Sequence, residues 1–183
     1  MGVSCVDLDG QDDRIASLLK EAKAVIWADR EKGVVISVET YATLVQWMRE
    51  AEEAQNPLKK FTAATSLGVI LGAAKRELSG VESTSTLLNM VRNLLDEISA
   101  CPEMLDKEGR NRLDKNAKTE ILLEIRDQAH NEKRKFTLIG KEISPAVMKI
   151  VMDKAEERAG IPVPDRILER YRLHQGRASF AFR

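Results

Sequence analysis

Apolar residues recur every three to four positions along most of the chain, and short polar breaks separate the runs. That spacing predicts helices, because a strand would alternate at every second position. Ile15, Leu18, Leu19, Ala22, Val25 and Ile26 form the first stripe, with Asp12 placed to cap a helix starting near Asp13 and Glu31-Lys32-Gly33 ending it. Ser37 is placed to cap a second helix, whose stripe is Tyr41, Leu44, Val45 and Met48 with Trp47 on its flank. Asn56-Pro57 pairs a cap acceptor with a residue that loses no hydrogen bond at the first helical position. The helix it opens carries Leu58, Phe61, Leu67, Val69, Ile70 and Leu71, is apolar on most sides, and is expected to be central and buried. Ala64, Gly68 and Gly72 lie four apart on it and form a smooth ridge, expected to pack tightly inside the molecule. Ser79-Gly80 closes it.

Leu87, Leu88, Val91, Leu94, Leu95 and Ile98 give a further helix, capped within Ser83 to Ser85. Pro102 opens a short turn, and the charged stretch Asp106 to Lys118 is expected to be exposed. Leu113, Ala117, Ile121, Leu122 and Ile125 mark a helix running to about Asn131. Ser144-Pro145 repeats the cap-plus-proline signal, and Gly160 stops the helix that follows. Ile161-Pro162-Val163-Pro164 reads as an extended hinge, since a residue before proline avoids the helical region. A last amphipathic helix runs from Asp165 to about Gln175, and Arg177 to Arg183 reads as an arm. The fold class expected is all-α: two packed bundles of about eight helices in all, with a basic C-terminal helix and arm. The expected division is 1–80, 81–160 and 161–183.

Composition agrees with this plan. Hydrophobic residues make up 43% and aromatics only 4%, which disfavours a sandwich or barrel and supplies a core that a disordered chain would lack. Cys5 and Cys101 are too few for a disulfide framework, and with His130 and His174 they give no zinc spacing. No apolar run reaches the roughly 20 residues of a membrane span; the longest, Ser66 to Ala74, ends at Lys75. Met1 to Val6 lacks a basic region leading into an apolar core, so no signal peptide is expected, and Val6 stands where an acylation signal would have Ser or Thr.

Charge changes the picture more. Lys plus Arg equals Asp plus Glu at 29 each, which excludes a uniformly basic coat but leaves room for local patches. Residues 1–100 hold 11 cations and 15 carboxylates; residues 101–183 hold 18 and 14. A chain acidic at one end and basic at the other suits head-to-tail association or an anionic surface facing the second half. Lys59-Lys60, Lys75-Arg76 and Lys133-Arg134-Lys135 offer adjacent cations, and Arg166, Arg170, Arg172 and Arg177 line the last segment. Such clusters suit phosphates of lipid headgroups or nucleic acid, and no base-stacking aromatics accompany them. Phosphate-loop, metalloprotease and nucleophile-elbow motifs are all missing from the sequence, and the carboxylates interleave with cations, so no catalytic residues, metal or cofactor are expected.

Two blocks carry a family resemblance. Tyr41-Ala42-Thr43-Leu44-Val45-Gln46-Trp47-Met48-Arg49 precedes Asn56-Pro57-Leu58-Lys59-Lys60 and a glycine-containing apolar helix. Much later come Lys133-Arg134-Lys135-Phe136-Thr137 and Gly140-Lys141-Glu142-Ile143-Ser144. In this order they resemble the orthomyxovirus (influenza-type) matrix proteins, as a divergent member would. The resemblance implies an all-α structural protein that assembles into arrays on the inner face of a viral envelope. Its implied partners are copies of itself, anionic inner-leaflet phospholipid, viral ribonucleoprotein and envelope glycoprotein tails. The implied lipid- or ribonucleoprotein-binding positions are Lys75, Arg76 and Lys133 to Lys135. The implied locations are the virion, the host cytoplasm and plasma membrane, and the nucleus. The rival reading is a helical nucleic-acid-associated adaptor or packaging protein.

Overall fold

The computed structural model describes residues 8–80, 86–132, 136, 138–139 and 142–171. The fold is all-α, and it divides into two compact units, Met1–Ser85 and Thr86–Arg183.

The first unit is built from α1 (Leu8–Glu31), α2 (Val38–Glu53) and α3 (Pro57–Ser79). Asp12 does not cap α1; the helix begins at Leu8, and the Asp12 carboxylate lies inside it, 2.6 Å from Lys60 Nζ on α3. Carboxylates near a helix start suit its dipole, so the acidic run prolongs the helix instead of opening it. Ser37 caps α2 by accepting from Thr40 N–H, and Asn56 caps α3 by accepting from Lys59 N–H at 2.8 Å, with Pro57 in the first turn. Gly80, at φ 78°, ends α3 in the left-handed region that glycine occupies without cost. α3 packs against both α1 and α2, and Leu67, Leu71, Ala63, Ala64 and Ala74 meet Ile15, Ala22, Val25, Ile36 and Leu44 in one core. On α2 the inward stripe is Leu44 and Ala51 with half-buried Trp47 and Met48; Val45, expected inward, is exposed.

The second unit contains α4 (Thr86–Ser99), a 3-10 turn (Pro102–Met104), α5 (Lys115–Asn131), α6 (Pro145–Ala159) and helical residues 165–171. β1 (Leu138–Ile139) and β2 (Glu142–Ile143) form a two-residue antiparallel ladder. The stripe expected on α4 is buried in full. The 106–114 stretch, expected to be simply exposed, is a tight turn with an inward end. Asp106 Oδ1 accepts from Glu108 N–H and Arg110 N–H at 2.9 and 2.8 Å, Arg112 N–H donates to Met104 O at 2.8 Å, and Leu113 is fully buried. Asp114 caps α5, so Leu113 precedes that helix instead of belonging to it. Ser144 caps α6 and Gly160 ends it, as the sequence predicts. Residues 161–164 are non-helical, yet Val163 is buried and its N–H donates to Glu156 Oε1 at 2.9 Å; Ile167 is buried too. Residues 161–171 therefore pack as part of the second unit.

Candidate interaction surfaces

The cations singled out from the sequence are distributed over both units. Lys75, late on α3, pairs with Glu21 of α1. Arg76, one position on, is exposed, and its guanidinium lies along the outer surface of α3 beside Gly72. Arg166 Nη2 donates to Glu103 at 2.9 Å, and Arg170 Nη1 to Glu97 at 3.2 Å. Both arginines border a shallow cleft of about 320 Å³ with Cys101 and Ile167, and Arg166 also borders a neighbouring one of about 520 Å³ around Pro162 and Pro164. The Cys101 sulfur and Glu103 hold the Arg166 guanidinium above its ordinary pKa. Lys133, Arg134, Lys135, Arg172 and Arg177 lie outside the described residues, as do the expected cap within Ser83 to Ser85, Cys5, Lys141 and His174. Lys75, Arg166 and Arg170 thus meet carboxylates at close range. Exposed pairs of this kind neutralise one another and contribute little to stability.

The uncharged part of α3 departs furthest from expectation. The helix is central to its unit, but only one side is covered. Leu58 is 75% exposed, Val69 71% and Phe61 51%. A Cβ added at Gly68 would meet nothing within 4 Å. Of the expected ridge Ala64 does pack into the core, whereas Gly68 and Gly72 meet no neighbouring helix among the described residues. The reason lies in the composition of the helix. With apolar residues on nearly every side, periodicity alone does not say which side faces the core. Leu58, Phe61, Thr62, Thr65, Val69, Gly72, Ala73 and Arg76 share the outward side, spaced at three and four residues.

Two buried carboxylates that sequence reasoning passed over fix the first unit. Asp29, fully buried near the end of α1, accepts from Val35 N–H at 2.7 Å and Ile36 N–H at 2.8 Å. Glu77 of α3 accepts from Ser37 N–H at 2.6 Å, Ser37 Oγ at 3.0 Å and Thr40 Oγ1 at 2.5 Å. Between them the turn from α1 to α2 is held from both sides, with Val34 at φ 62°. A left-handed β-branched residue costs on the order of 1–2 kcal/mol, which these bonds and the complete burial of its side chain offset. One signal was available for Glu77: it is the one carboxylate in α3, set between Ala74 and Leu78. In the second unit Glu124 of α5 receives Lys154 and Arg158 of α6, and hydrogen bonds from these cations, Lys154 first, hold its carboxyl below the ordinary value of 4.5.

Among the described residues no group of His, Cys, Asp and Glu is placed to hold a metal ion, and no helix is long and apolar enough to cross a membrane. Comparison with known proteins gives no match to a family model, a curated protein or a solved structure. The resemblance to orthomyxovirus matrix proteins therefore stands on its sequence blocks alone.

Proposed function

We propose that this chain is a structural protein of the viral matrix type, which associates with copies of itself beneath a membrane. Its partners are other copies, anionic phospholipid and ribonucleoprotein, with envelope glycoprotein tails as a further contact. The proposed location is the inner face of a virion envelope, reached through the host cytoplasm and plasma membrane. The reading takes the protein as non-catalytic.

The observation that carries this reading is the charge of the two units. Met1–Ser85 contains 10 Lys and Arg against 13 Asp and Glu, whereas Thr86–Arg183 contains 19 against 16. The net charge is −3 on one compact unit and +3 on the other. Units of opposite charge favour heterologous contacts between molecules, which propagate instead of closing. Each contact is weak, because many charges are paired internally and salt screens the remainder. An array multiplies weak contacts into useful avidity.

Sedimentation velocity of the full chain tests this. Concentration-dependent assemblies are expected at about 0.1 M salt and are expected to dissolve at about 1 M, where the screening length drops from roughly 10 to roughly 3 Å. A monomer at every concentration in low salt, or assemblies indifferent to salt, would remove the polar account. RNA that dissolves the assemblies by competing for the second unit would favour a nucleic-acid adaptor.

A further inference from the structure

We propose that residues 161–171 form a latch, a strap closed over the end of α4 and the 3-10 turn that opens as one piece while the rest of the second unit stays folded. Opening frees Arg166 and Arg170 from their carboxylates and uncovers Cys101. As a regulator of candidate cations the latch rests on the reading above, but it is a property of the chain alone and is tested with no partner present.

The argument starts from how the strap is attached. Gly160 ends α6 in the left-handed region, at φ 68°, and Pro162 and Pro164 have no N–H to donate. The link out of α6 therefore lies outside any helical ladder, and Val163 N–H goes to a side chain, Glu156 Oε1. Helix resumes at residue 165, and Ile167 N–H donates to Pro164 O at 2.9 Å. Within 161–171 the buried residues are Val163 and Ile167 alone. A cleft of about 320 Å³ opens beside Ile167 and one of about 520 Å³ beside Pro162 and Pro164, so the strap lies across its seat without filling it. Segments with few buried apolar contacts and exposed bonds open locally, well before the whole domain unfolds.

Charge supplies the pins. Arg166 and Arg170 stand four apart, on one side of the strap. Arg166 Nη2 reaches Glu103 of the 3-10 turn at 2.9 Å, and Arg170 Nη1 reaches Glu97 of α4 at 3.2 Å. The Tyr171 hydroxyl adds a longer contact, 3.5 Å, to the same Glu97. The two arginine side chains are 53% and 61% exposed. Pairs so open to water hold weakly, and salt weakens them further. Cys101 lies beneath. It is 4% exposed, its Sγ donates to Glu97 O at 3.5 Å, and the Arg166 guanidinium stands beside it. It borders the same cleft as Ile167 and both arginines, so the closed strap shields the thiol and the thiol reports opening. In the closed state the two guanidiniums are neutralised. In the open state both are released, next along the chain to Arg172 and Arg177.

The test is the rate at which a maleimide labels Cys101 in the full chain carrying Cys5→Ser. Arg166→Gln and Arg170→Gln, alone and together, are compared with that parent, each first shown to melt as the parent does. Removing a cation beside a thiol lowers its thiolate fraction, so faster labelling in these variants reports opening and not chemistry. Either substitution is expected to speed labelling about two- to fivefold, and the pair about tenfold. Raising salt from about 0.1 to about 1 M is expected to speed the parent and leave the double variant unchanged. Hydrogen exchange gives a readout free of thiol chemistry: the N–H groups of Val163, Ile167 and Leu168 are expected to share one protection factor, lower than that of α4 and α6. Labelling that is equal in parent and variants at both salts, labelling that keeps pace with global unfolding in denaturant, or amides of 163 and 167 that open independently would each overturn the latch. None of these results touches the assembly reading, which sedimentation decides separately.

Discussion

Single carboxylates decide the shape of the first unit. Glu77 satisfies two hydroxyls and one backbone N–H at the start of α2, from a position 37 to 40 residues along the chain. Removing it leaves three buried or half-buried donors with no acceptor, at a cost of order 1–3 kcal/mol for each orphan, partly recovered by water. Glu77→Ala is expected to destabilise by about 2–4 kcal/mol in a denaturant titration. A loss below about 0.5 kcal/mol would show that the geometry is incidental. Nothing in the local sequence pointed to this bond, because no spacing rule relates Ser37 to Glu77. By contrast the caps at Ser37, Asn56, Ser144 and Gly160 were legible, since each acts within one helical turn.

Among the elements, α3 separates what a pattern can tell from what only packing can. Its ends were read from Asn56-Pro57 and Gly80, while its orientation was not. The same uniform composition that suggested a buried helix left its outer side undefined until α1 and α2 took the inner one. Gly68 gives a direct check. Its backbone is helical and a Cβ there meets nothing within 4 Å. Gly68→Ala is therefore expected to stabilise the protein by about 0.5–1 kcal/mol through helix propensity alone. Destabilisation in a thermal or denaturant melt would mean that another surface closes on that ridge in solution. On α2 the same kind of ambiguity exchanged Trp47 for Val45: adjacent apolar residues can each claim the inward side, and the helix rotates toward the better-packed choice.

For the whole molecule, the candidate cations were legible as clusters but not as partners. Lys75, Arg166 and Arg170 each find a carboxylate from a distant part of their own unit, which composition does not reveal. The proposed assembly, carried by the opposite net charges of the two units, is one that acid would weaken. Acid that protonates carboxylates cancels the negative charge of the first unit. Glu124 resists that loss. Its folded-state pKa is lowered, so the stability it contributes is fully present above 4.5 and is lost only as pH falls through the lower folded value. Assemblies are expected to dissociate, by sedimentation, at a higher pH than that at which far-ultraviolet circular dichroism shows loss of helix. Assemblies persisting until the helices melt would contradict this order. The bond network around Glu77 carries one more consequence. A helix as evenly greasy as α3 could settle at several rotations about its own axis, or slip along it by a turn, with little penalty from the oily contacts alone. The lone acid acts as a key in a slot: rotate or slide the helix and the key leaves α2. The residues shown to the outside world are thereby chosen by an anchor on the inside, so a change at Glu77 would reshuffle the exterior without touching it.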